Sequence, residues 1–249
     1  MSDATNPGRR GFLRRSIAIV PAAGALAATG FVAGQHSAGA APTAASTAAP
    51  PGPVAGPPYV PVYFHAEEWA FIQAAVARLI PSDETGPGAI EAGVPEFIDR
   101  QMEGGFGHAV LRYSQGPFVA SSPLFGYQGK LLPRELYRAG IAATDAWCRQ
   151  NRDGKRFVDL DASQQDEVLE GLEAGTIAFA DFGARDFFGF LLQNAKEGYF
   201  SDPIHGGNKD ASAWKMIGFP GARADFLDWV DRPGVAYPLP PVGIAGPQG

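Results

Sequence analysis

The sequence predicts a mainly α-helical protein, a single compact domain of short helices joined by long ordered loops. Three observations carry that expectation. Apolar residues recur at helical spacing in several segments, no segment sustains the period-two alternation of a strand, and Gly and Pro punctuate the intervals. With 32 Gly and 22 Pro in 249 residues, the chain is more interrupted than an average globular sequence. That disfavours long coiled coils and regular solenoids.

The folded body is expected to start near Val62. Ahead of it, Arg9-Arg10-Gly11-Phe12-Leu13-Arg14-Arg15 precedes an uncharged Ala- and Gly-rich run, and no Asp, Glu, Lys or Arg occurs from Ser16 to Ala66. A basic region, a short apolar core broken by Pro21, Gly24 and Gly30, and a small-x-small site at Ala38-Gly39-Ala40 read as a signal peptide over residues 1–40. The order of Arg9, Arg10, Phe12 and Leu13 resembles the twin-arginine export signature, and the modest hydrophobicity of the core suits that route. Residues 41–61 carry seven prolines among Ala, Thr and Gly. Such a segment buries too little apolar surface to offset its ordering entropy and is expected to be a disordered linker. Residues 62–249 then form one helical domain.

Within that domain, residues 64–80 place Trp69, Ile72, Val76 and Leu79 or Ile80 on one helical face, with Glu67 and Glu68 in the first turn, where the helix dipole favours anions. Pro81 ends this helix, and residues 82–93 follow as a turn-rich loop. Pro95 opens a short second helix closed by Gly104-Gly105. Residues 106–130 read as an aromatic-rich loop. Residues 133–150 are expected to be helical with Leu136, Ile141 and Trp147 inward. Asp161 and Gln164 form a capping box for a helix through Leu172, stopped by Gly175. Residues 184–196 present Phe187, Phe188, Leu191 and Leu192, and one last turn is expected over 225–230.

Charge narrows the function classes. Beyond residue 60 the chain has 16 Lys and Arg against 25 Asp and Glu. An acidic body of this kind does not suit nucleic acid, which requires clustered positive charge. A single cysteine, Cys148, excludes an internal disulfide, a four-cysteine metal or iron–sulfur site and a C-x-x-C-H haem attachment. Placed mid-helix beside Trp147, it reads as a buried structural thiol. Neither His-rich metal spacing nor a dinucleotide, phosphate-loop or nucleophile-elbow fingerprint is present. The sequence therefore yields no catalytic, cofactor-binding or metal-binding residue.

The stretch 199–219 is the most informative. It runs Asp202-Pro203-Ile204-His205-Gly206-Gly207-Asn208-Lys209-Asp210 and then Trp214-Lys215-Met216-Ile217-Gly218-Phe219. One reading is a Gly-rich turn whose polar groups cap one another. A second gives Asp202, Asn208 and Asp210 to a hard cation, although the spacing is not that of an EF-hand. A third, preferred here, is a rigid partner interface built on Gly206, Gly207, Asn208 and Lys209 that displays Trp214, Met216 and Phe219.

The twin-arginine segment, the run Leu79-Ile80-Pro81-Ser82-Asp83-Glu84-Thr85-Gly86-Pro87-Gly88-Ala89, the run Glu91 to Asp99, and Gly198-Tyr199-Phe200-Ser201-Asp202-Pro203 with Gly206 to Asp210 and Trp214 together resemble the gluconate 2-dehydrogenase subunit 3 family. The resemblance spans roughly residues 62–219. It implies a non-catalytic small subunit of a periplasmic, membrane-associated dehydrogenase that oxidises a sugar acid, sugar or polyol. In that family the FAD sits in a large subunit of the glucose–methanol–choline type, and a multi-haem cytochrome c subunit carries haem c and passes electrons on. The small subunit supports export of the flavoprotein through the twin-arginine translocase, so no catalytic activity is expected from this chain alone. The alternative is a free-standing periplasmic enzyme or small-ligand binding protein using Asp202, His205 and Asp210.

Overall fold

The computed structural model describes residues 58–112, 114–119 and 121–246. The export residues Arg9, Arg10, Phe12 and Leu13, and the linker as far as residue 57, lie outside the described residues. Six α-helices are present among the described residues: α1 (Ala66–Leu79), α2 (Val94–Glu103), α3 (Pro133–Asn151), α4 (Ala162–Ala174), α5 (Ala184–Phe200) and α6 (Ser212–Ile217). Short 3₁₀ turns at Pro123–Phe125, Phe157–Asp159, Pro203–His205, Lys209–Ala211 and Ala224–Trp229 fill the connections. The described residues contain isolated β-bridges and no strand, so the mainly helical expectation holds.

Helix α5 is the central element and packs against α1, α2, α3, α4 and α6. Its inward stripe, Phe187, Leu191, Asn194, Ala195, Gly198 and Tyr199, follows the three- and four-residue spacing of a buried helical face. Phe71 of α1 stacks against Phe157 at 4.7 Å and Phe187 at 6.2 Å, and Tyr137 of α3 meets Phe187 edge-on. The Tyr137 phenol, fully buried, donates to Asn194 Oδ1 at 2.9 Å, so the polar tip of this aromatic core is satisfied.

Local signals place the helix ends. Asp161 accepts from the Gln164 N–H at the start of α4 and Gly175 closes it in a left-handed conformation, as the capping box predicts. Glu68 and Glu135 accept from the backbone N–H of His65 and Leu132 at the starts of α1 and α3. Cys148 is buried in α3, and burial pushes its thiol up to about 11, consistent with an unreactive packing role.

Three features differ from expectation. Helix α5 runs to Phe200 rather than ending at Lys196, because Gly198 faces inward: a Cβ there would stand 2.7 Å from the Phe97 ring. The stretch 199–219 is accordingly not one loop, for it contains the end of α5, two 3₁₀ turns and α6. Trp69 and Trp147 are only half-buried, and the α1 core position is taken by Phe71.

No helix among the described residues is long and apolar enough to cross a membrane.

A candidate interface built from two interlocked loops

The segments 80–93 and 199–219, more than a hundred residues apart, close on each other at the end of α5. The first loop is fastened at its base by the Ala89 N–H donating to the Ile80 carbonyl at 2.8 Å. Asp83 makes an Asx turn, accepting from the Thr85 N–H at 2.8 Å, and the Thr85 side chain first, then this N–H, hold its carboxyl below the ordinary carboxylate range. The tip then meets the second segment. The Tyr199 phenol donates to the Pro87 carbonyl at 2.6 Å, and Met216 packs so closely on Gly86 that a Cβ there would lie 2.7 Å from its sulfur. Burial, followed by the nearby charges of Asp83 and Glu91, raises the Tyr199 phenol, so it remains a donor at neutral pH.

Gly206, Gly207, Asn208 and Lys209 fasten the other side. The Lys209 N–H donates to the Ala92 carbonyl at 3.1 Å. Its ammonium reaches Glu96 Oε2 at 2.7 Å, while Arg100 holds the other oxygen of the same carboxylate. Glu96 is 8% exposed, so two cations neutralise one carboxylate that water barely reaches. Gly93 is indispensable to this arrangement: its φ is +76°, and a Cβ would stand 2.6 Å from Lys209 Cε. Gly207 is equally confined, against the Gly198 carbonyl.

Asn208 lies at the centre of the second loop, fully buried. Its side-chain amide donates to the Ser201 carbonyl at 2.9 Å and its oxygen accepts from the Ala213 N–H at 2.9 Å. Asn208, Asp210 and Ala211 all adopt left-handed backbone, a cluster that non-glycine residues hold only where the surroundings fix it. Asp202 accepts from the Ile204 N–H at 3.0 Å and, through its other oxygen, from the Ile244 N–H at 2.7 Å. The Asp202 and Asn208 oxygens considered for a cation are thus spent on backbone donors. Among the described residues no group of three or more His, Cys, Asp or Glu is placed to hold a metal ion. His205 is exposed on its 3₁₀ turn.

One expected feature is corrected. Trp214 is not displayed: it is 6% exposed, its indole N–H donates to the Phe200 carbonyl at 2.8 Å, and Phe219 packs edge-on against it at 5.1 Å. An amphipathic indole with an available carbonyl is better buried than solvated, so Trp214 anchors α6 rather than meeting a partner. The apolar groups that do face outward are Met216 (38% exposed), Phe219 (46% exposed), Ile217, Ile204 and Phe200.

A feature the sequence reading missed lies one turn further along α2 from Glu96, beside the interlock. Asp99, fully buried on α2, accepts from the Tyr59 phenol at 2.7 Å and from the N–H groups of Val62, Tyr63 and Phe64 at 2.7, 3.1 and 2.9 Å. Burial, and then this bond, push the Tyr59 phenol upward. The available signal was an acid set among Phe97, Ile98 and Met102 on a helix with an apolar face.

Fold and site together define a small helical protein whose most constrained parts are two interlocking loops with an apolar outer edge. The sequence model described as Gluconate 2-dehydrogenase subunit 3 matches residues 66–221, which takes in both loops and all six helices. The chain belongs to that family. No curated protein and no solved structure matches it significantly.

Proposed function

We propose that this chain is the non-catalytic small subunit of a periplasmic, membrane-associated dehydrogenase of the gluconate 2-dehydrogenase type. Its partner is a large flavoprotein of the glucose–methanol–choline type, which binds FAD and oxidises the sugar acid, sugar or polyol. A multi-haem cytochrome c subunit takes the electrons. The small subunit carries the twin-arginine signal (Arg9, Arg10, Phe12, Leu13) for the pair, and it stabilises the flavoprotein. The observation that carries this reading is the interlock itself. Two of the stretches that carry the resemblance fold against each other through Tyr199, Lys209 and Glu96 and leave Met216, Ile217 and Phe219 outward. A rigid scaffold with an apolar edge suits recognition of a protein.

The export role is tested by replacing Arg9 and Arg10 with Lys and fractionating the cells. Both this chain and the flavoprotein are expected to remain in the cytoplasm. A flavoprotein that still reaches the periplasm would refute the shared-signal role.

A further inference from the structure

The strap of chain that leads into α1, residues 59–64, and the interlocked loops are fastened to the same stretch of α2. Glu96 and Asp99 are both buried there, with Arg100 beside them. Asp99 collects the strap, through the Tyr59 phenol and the N–H groups of Val62, Tyr63 and Phe64. Glu96 collects the second loop, through the Lys209 ammonium at 2.7 Å. Arg100 belongs to both sides. Its guanidinium pairs with the other Glu96 oxygen and lies 5.7 Å from the centre of the Tyr59 ring, within reach of a cation–π contact. The second loop packs on that same side chain: a Cβ on Gly206 would stand 3.0 Å from Arg100 Nε and 3.1 Å from its Cδ.

This geometry makes the two fastenings interdependent. While the loops are closed, Lys209 occupies one Glu96 oxygen and the Gly206 turn packs on Arg100, so the guanidinium is held where it meets Tyr59. Opening the loops removes that packing and leaves Glu96 with one cation, which draws Arg100 more strongly to the carboxylate. The Tyr59 ring then loses the charge beside it. Because Asp99 binds four donors of one short segment, loosening the first frees an end from which the others fray.

We infer that Arg100 couples the strap to the interlock, so that residues 59–64 act as a latch that stays fastened only while the two loops are closed. Coupling of this kind is reciprocal. Whatever clamps the outward edge at Met216 and Phe219 in the closed state also tightens the strap, and releasing the strap loosens the loops. Release of residues 59–64 adds roughly 20 Å of extended chain between the folded body and the residues that precede it. The latch is a property of this chain alone and stands apart from the functional reading above.

Hydrogen exchange on the full chain tests the latch. The amides of Tyr63 and Phe64 report the strap, and those of Lys209 and Ala213 report the interlock. Lys209→Met is expected to speed exchange at the strap about threefold or more, the worth of one cation–π contact. Tyr59→Leu is expected to speed exchange at the interlock by a similar factor. The comparison is Arg152→Met, which breaks an ion pair with Glu167 at the far end of α3 and should leave the strap unchanged. In an Arg100→Gln background, Lys209→Met should add nothing at the strap; the Arg100 side chain is 47% exposed, so the fold is expected to survive. A strap indifferent to Lys209→Met, or an interlock indifferent to Tyr59→Leu, would overturn the inference. Equal speeding by Arg152→Met would overturn it as a global loosening, and a Lys209→Met effect that persists without Arg100 would remove Arg100 as the link.

Discussion

The phenol of Tyr199 donates to the carbonyl of Pro87 at 2.6 Å, across 112 residues of sequence, and so ties the end of the central helix to the tip of the first loop. Replacing Tyr199 with Phe removes this bond while keeping the ring. The expected cost is about 1 kcal/mol, the usual net worth of such a bond, or roughly 2–4 °C in melting temperature for a domain of this size. Proteolysis is expected to speed up within residues 82–93. Thermal unfolding and mapped cleavage read both effects, and an unchanged cleavage pattern would show that the bond does not restrain the loop.

Lys209 and Gly93 form the second tie. Lys209→Met leaves buried Glu96 with Arg100 as its remaining cation. The expected destabilisation is about 1 kcal/mol, kept small because the lysine is half exposed. Gly93→Ala is more severe, about 2 kcal/mol or more, because a left-handed backbone penalty adds to a collision with the Gly206 carbonyl, which a Cβ would approach to 2.7 Å. Urea denaturation of the two variants orders them, and an Ala variant as stable as wild type would contradict the geometry.

Asp99→Ala would orphan three backbone N–H groups and the Tyr59 phenol. A loss of about 2 kcal/mol or more is expected, since the Tyr63 and Phe64 N–H groups are buried and unsatisfied buried donors cost about 1–3 kcal/mol each, whereas water can reach the donors at Val62 and Tyr59. Asp99→Asn should retain part of this, as the amide oxygen still accepts. Cleavage by proteases around residues 59–64 is the local readout; it should be rapid in the Ala variant and slow in wild type.

The Cys148 thiol gives a pH prediction. Its folded-state value is raised to about 11 by burial, whereas a thiol in an unfolded chain titrates near roughly 8.5. The unfolded state therefore deprotonates first. The contribution is fully present below pH ~8.5 and is lost as pH rises toward 11. Iodoacetamide at pH 8 should leave Cys148 unmodified in the native protein and alkylate it readily in urea. Rapid native alkylation would show the α3 core to be open.

Much of the helical frame was legible because helix ends are encoded locally. Asp161 with Gln164, Pro95 and Pro133 each announce a start through one or two side chains near the terminus. What remained hidden depends on distant partners. Gly198 resembles a helix stop until Phe97 is known to press on it. Trp214 resembles a presented aromatic until Phe200 and Phe219 are known to enclose it. Asp99 resembles a surface acid until the incoming chain is known to donate four hydrogen bonds to it. The membership of both loops in one site was likewise invisible, since no local pattern relates Pro87 to Tyr199.

The central claim, that this chain works as the small subunit of a flavoprotein complex, is tested most directly by affinity purification from the native host followed by an absorption spectrum. The account predicts a coloured complex with flavin and haem bands, from which the separated chain emerges colourless. A chain that purifies alone as a colourless monomer would contradict it.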